Sequence, residues 1–233
     1  AFAVLTLPLV IIGTLIGLYI WFIFYAITMA GAAPAGTVMT APGATAPPQA
    51  STVVQALLQY SRDHAGRMPQ HAIELVHGGY ITADALLMPS SLTTKRDVPL
   101  GHTSLQAFSD SPSQIRRRIV QDAIQTLPAG VIAHRLGDVV FTYHGIPAAS
   151  PDPGLWLLIE SPDPAVNRPS TPGDTITVVR TDGSMMTTSR AGISGLLSDQ
   201  NTLRDQHGLP PLPDPDTIRH DKPAAVSAEQ PEF

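Results

Sequence analysis

Hydrophobic positions follow three regimes along this chain: a continuous apolar block, then helical spacing, then alternation. From 4 to 29 the chain is nearly continuous Leu, Ile, Val, Phe, Tyr and Trp, and no residue carries a formal charge before Arg62. At about 1.5 Å rise per residue, such a run makes a helix long enough to cross a hydrocarbon layer of about 30 Å. The pattern predicts a single membrane span within 1–30. Gly13 and Gly17 stand four apart and would let a second helix approach closely. Tyr19, Trp21 and Tyr25 collect toward the C-terminal half, as aromatic rings do near a headgroup layer. Ala30, Gly31, Ala32 and Ala33 also suit a signal-peptide cleavage site, but the apolar run exceeds a usual signal core.

Residues 31–50 are Ala, Pro, Gly and Thr without periodicity, and read as an extended tether in which four prolines forbid a continuous helix. Helical spacing resumes over 52–64, with Val53, Val54, Leu57 and Leu58 on one side, Ser51 as N-cap and Gly66 as terminator. Shorter helical pieces are expected at 72–77 and 83–87, the second closed by Pro89. The strongest helical pattern runs over 112–127, where Ile115, Ile119, Val120, Ala123, Ile124 and Leu127 recur at helical spacing. Ser111 reads as its N-cap, with Pro112 at the first position and Gln114 completing a capping box.

Beyond Gly130 the period falls to 2, predicting strands at 131–135, 138–144, 156–160 and 175–181. Asp182-Gly183 is a hairpin turn that returns the chain as a strand over 184–188. A final helix in one or two pieces is expected at 190–206, capped by Ser189 and ended by Gly208. From 209 onward the chain is Pro-rich and mixed in charge, a tail without a core of its own that another surface would have to hold. The expected organisation is a span at 1–30, a tether at 31–50, an α+β domain at 51–207 and a tail at 208–233.

Several short motifs carry a resemblance. Leu58-Gln59-Tyr60-Ser61, Gly66-Arg67-Met68-Pro69, Leu75, Gly79-Tyr80-Ile81 and Leu86-Leu87-Met88-Pro89-Ser90 follow one another as at the start of bacterial pseudopilin-like domains. The run from Thr175 through Asp182-Gly183-Ser184, then Ser189-Arg190 and Leu196-Leu197, is similar to the terminal hairpin and helix of that group. The resemblance covers about half of the soluble part. It implies an α+β domain, helices packed on a small antiparallel sheet, built for assembly. The span lacks the acidic residue of pilins, and the tether interrupts their long helix. A pseudopilin-like domain reused on a plain membrane anchor fits the sequence better than a filament subunit.

Charge and composition narrow the function classes. A net charge of -5 without a clustered basic surface disfavours nucleic acid. The absence of Lys and Arg just after the span places the soluble part outside the cytoplasm, at a bacterial inner membrane with a periplasmic domain. There is no cysteine, hence no disulfide framework and no thiol nucleophile. No nucleophile elbow, Walker pattern or dinucleotide fingerprint occurs, so no cofactor and no catalytic residue is assigned, and a small-molecule ligand is not expected. His71, Glu74 and His77, three apart, drift around a helix and miss the spacing of a zinc pair. Asp138, Asp152, Asp163, Asp174 and Asp182 do not alternate as calcium donors would. Trp156, inside Leu-Trp-Leu-Leu-Ile, reads as a core aromatic.

Arg116, Arg117 and Arg118 form the densest positive cluster, a solvated helix face or a docking site for an acidic partner or lipid headgroups. With Phe233 they are the expected partner contacts. The leading expectation is a non-catalytic, membrane-anchored accessory subunit that stabilises a larger membrane complex of the respiratory or photosynthetic kind. The alternatives are a component of a secretion or pilus apparatus, and a tethered hydrolase or ligand sensor.

Overall fold

The computed structural model describes residues 48–147, 152–163, 166–167, 175–220 and 224–225. The expected span, with Gly13, Gly17, Tyr19, Trp21 and Tyr25, lies outside the described residues, as does Phe233. Among the described residues no helix is long and apolar enough to cross a membrane.

The fold is α+β, with helices packed on a five-strand antiparallel sheet. Helix α1 (Pro48–Asp63) begins earlier than its apolar periodicity suggests. Pro48 takes the first turn, where a missing N–H costs nothing, so Ser51 lies inside the helix and does not cap it. Ala50 is buried, which moves three residues of the expected tether into the domain. Gly66, in the left-handed region, ends the segment as expected and donates to the Ser61 carbonyl at 2.7 Å.

A short helix α2 (Ile73–His77) and a 3₁₀ turn (Ala83–Leu86) follow, as their patterns predict. A two-stranded ribbon comes next, formed by β1 (Pro99–Leu100) and β2 (Thr103–Ser104), and leads into α3 (Leu105–Asp110). These elements are too short to show a period. Their presence changes the start of α4 (Ser113–Thr126). Ser111 ends α3 and returns its hydroxyl to the Ala107 carbonyl at 2.7 Å, so the expected capping box does not form; Pro112 occupies the cap position with no side-chain bond.

The sheet is a meander of β3 (Val131–Leu136), β4 (Val139–Phe141), β5 (Trp156–Glu160), β6 (Thr175–Arg180) and β7 (Met185–Ser189), with β8 (Ala224–Ala225) added beside β3. From β3 to β7 each strand pairs with its sequence neighbour, whereas β8 pairs with β3 at the opposite edge from β7. Asp182-Gly183 makes the β6–β7 turn: Gly183 is left-handed and the Asp182 carboxylate accepts from the Ser184 amide at 2.8 Å. The last helix is in two pieces, a 3₁₀ turn (Arg190–Gly192) capped by the Ser189 hydroxyl and α5 (Ile193–Gln206), closed by left-handed Gly208.

Both faces of the sheet are covered. On one, Val53 and Leu57 of α1, Leu75 of α2, Phe108 of α3 and Ala123 of α4 pack against Val139, Phe141, Leu158 and Val179. On the other, Val140, Trp156, Ile159, Ile176 and Val178 meet Ile193 of α5 and then Leu212 and Ile218. The segment 209–220, expected to lack a core, therefore supplies part of this domain's second core. The expected break after 207 is not a break in packing. Asn201 holds the segment by a reciprocal pair of bonds to the backbone of Leu212, at 2.9 and 2.7 Å, and Arg190 is ion-paired with Asp216.

Candidate functional site

Two clusters of buried polar groups flank β3. The β3–β4 turn places left-handed Gly137 against the Leu86 carbonyl and buries Asp138 completely. One Asp138 carboxylate oxygen accepts from Ser91 Oγ at 3.0 Å, Thr93 Oγ1 at 2.9 Å and the Asp163 amide at 3.1 Å; the other accepts from the Met88 amide at 2.8 Å. Asn167 closes the ring, its Nδ2 reaching Ser91 Oγ at 3.0 Å and Thr93 Oγ1 at 3.1 Å. The carboxylate fastens the 88–93 segment to the backbone of Asp163.

Next to it, Arg135 is buried against backbone carbonyls: Nε donates to Ile218 at 2.8 Å, Nη1 to Ser161 at 2.7 Å and Nη2 to Pro215 at 3.1 Å. Burial lowers its pKa to about 10, against the opposing fields of Asp163, Asp138 and Asp216. The Asp163 carboxylate faces His220 at 3.0 Å and Arg219 at 3.6 Å. Glu160, 1 % exposed, leaves Oε2 without a hydrogen bond. Burial, and secondarily the field of Asp138, raises its pKa to about 7.

The second cluster is a chain of histidine rings. His71, before α2, lies 4.7 Å from the His134 ring of β3, which lies 4.9 Å from the His144 ring after β4. The Ala72 amide donates to His134 Nε2 at 3.2 Å, so that nitrogen carries a lone pair and the proton sits on Nδ1, 2.7 Å from His144 Nε2. The Ile73 amide donates to His71 Nδ1 at 3.1 Å, which fixes His71 as the Nε2–H tautomer. All three are held neutral: burial lowers His71 to about 3 and His144 to about 4, and takes His134 well below its ordinary value. Tyr143 stands beside them with its hydroxyl buried and unbonded.

The remaining residues singled out from sequence are dispersed. Glu74 accepts from Tyr60 Oη at 2.7 Å and from the amides of Gln70 and His71 at 2.6 and 3.0 Å, a fold contact that separates it in role from His71 and His77. Among the described residues no group of three or more His, Asp or Glu could hold a metal ion. Arg117 and Arg118 are exposed and Arg116 is half-buried. Arg118 lines a groove of about 470 Å³ with His102, Ile119 and Asp122, between the β1–β2 ribbon and α4. Ile115 is 51 % exposed, so the apolar face of α4 is covered only toward its C-terminal half. Trp156 is buried in the second core, as its run of apolar neighbours predicts.

Sequence reasoning missed His134, Arg135 and His144. A signal was present: His-Arg inside a strand places polar groups on both faces, which is tolerable only if both faces are covered and each group is partnered. No family model matches the chain, and no curated protein or solved structure matches it.

Proposed function

We propose that this chain is a non-catalytic, membrane-anchored accessory subunit, held at a bacterial inner membrane with its α+β domain on the periplasmic side and in contact with other protein subunits of a larger complex. The observation that carries this reading is the uncharged apolar run at 4–29, joined by a Pro-rich tether to the domain. Asp138 and His134 supply support of a second kind, since they bond the domain's own loops. Extraction in mild detergent followed by a native gel tests the proposal. Co-migrating polypeptides are the expected result; a monodisperse monomer, or full-length chain soluble without detergent, overturns it.

A second reading is a pseudopilin-like component of a secretion or pilus apparatus. It is favoured by a first helix that packs on β5 and β6 and by an Asp-Gly hairpin leading into the last helix. Deletion separates the two: loss of secretion favours this reading, and loss of an unrelated membrane complex favours the first.

A further inference from the structure

The histidine chain joins two parts of the fold that otherwise meet through apolar packing. On one side is the 70–81 segment, whose Ile73 and Leu75 are fully buried; on the other is β3 and the strand that follows it. The polar link between them is the Ala72 amide to His134, beside the tilted contact of the His71 ring with His134. Both sides of that link require lone pairs on imidazole nitrogen. A proton on His134 Nε2 would meet the Ala72 N–H head-on, and a proton on His71 Nδ1 would meet the Ile73 N–H.

We propose that His71, His134 and His144 form an acid-operated latch: protonation of the cluster releases the 70–81 segment from β3 while the sheet stays folded, and uncovers Ile73 and Leu75. Among the described residues no carboxylate is ion-paired with a ring of the cluster. Tyr60 of α1 and Tyr143 after β4 are neutral hydroxyls, and Glu74 of α2 is committed to Tyr60 and to the Gln70 and His71 amides. His220 of the C-terminal segment faces Asp163, and its field, like those of His71 and His144, opposes a charge on His134. Arg135, next in β3, points into the opposite cluster. A histidine that is neutral when latched and titrates freely near 6.5 when released favours release by 10^(6.5 − pH), about 30-fold at pH 5.

The test is amide hydrogen exchange on the full chain in detergent, corrected for the intrinsic pH dependence, between pH 7.0 and 5.0. Protection over 70–81 is expected to fall by about 25-fold or more relative to β5 and β6. His134→Gln keeps an acceptor for the Ala72 amide without a titratable ring and is expected to reduce that fall at least threefold. If it does not fold, His144→Gln, at the half-buried end of the chain, takes its place. Protection that is flat to pH 5, that falls equally across the sheet, or that responds as in the wild type in the folded variant overturns the latch.

Discussion

Arg135 Nε donates to the Ile218 carbonyl at 2.8 Å, across 83 positions of sequence. The guanidinium is buried and faces carbonyls, and no carboxylate among the described residues is ion-paired with it. It therefore sews the 209–220 segment to the sheet.

Replacing Arg135 by Met fills most of the volume but strands the buried carbonyl oxygens of Ile218 and Ser161, while the Pro215 carbonyl keeps the Ile218 amide. At about 1–3 kcal/mol for each buried group left unmade, the variant is expected to lose about 2 kcal/mol or more. Urea unfolding reads the loss. Limited proteolysis locates it, with new cleavage within 209–220 expected before the sheet is attacked.

Asp138 differs in kind because it receives four donors. Asp138→Asn presents an amide N–H₂ to donors and Asp138→Ala removes every acceptor, so both are expected to destabilise, the second by about 3–5 kcal/mol. Asn167→Ala, which weakens only the outer ring of the same network, is expected to cost less than half as much. A smaller loss in Asp138→Ala than in Asn167→Ala would remove Asp138 from the centre of the network.

Glu160 makes stability depend on pH in a stated direction. Its pKa rises from 4.5 to about 7 on folding, so the folded chain binds this proton more tightly than the unfolded one. The stabilisation is full below about 4.5 and is lost as pH rises through about 7. Glu160→Gln is expected to be nearly neutral at pH 5 and more stable than the parent by about 2–3 kcal/mol at pH 8. The histidine cluster has the opposite sign, costing stability below about 6.5. Melting curves of the parent and of Glu160→Gln from pH 5 to 8 separate the two slopes.

Two glycines with left-handed backbones give a contrast. A Cβ on Gly137 would stand 2.3 Å from the Leu86 carbonyl oxygen, whereas one on Gly183 meets nothing. Gly183→Ala is expected to cost about 1–2 kcal/mol, the backbone conformation alone. Gly137→Ala adds a collision with rigid backbone and is expected to cost at least twice that, as measured by denaturant midpoint at constant slope.

The α+β class, the β5 and β6 runs, the Asp182-Gly183 turn and the divided last helix were legible because each depends on neighbours a few residues away. Val178 and Trp156 announce themselves by the apolar runs in which they sit, and Gly183 by the turn that only a residue free of Cβ strain makes easily. α3 and the β1–β2 ribbon were not legible, since elements of six and two residues carry no period. Their arrival also altered the start of α4, where Ser111 serves the helix before it.

Local pattern alone assigns the apolar run at 4–29, the alternation of the sheet strands and the positions of the turns, because hydrophobic period and backbone strain are properties of short stretches. Whether 209–220 was a tail or part of a core depended on Arg135, Asn201 and the open face of the sheet, all distant in sequence. The same holds for the histidine chain, where the Ala72 amide, His134 and His144 share hydrogen bonds and the His71 ring meets His134 because folding brings their segments together beside β3. Burial and partner are not written in a residue's neighbours, and they are what decide whether a histidine is a solvated base or a neutral link.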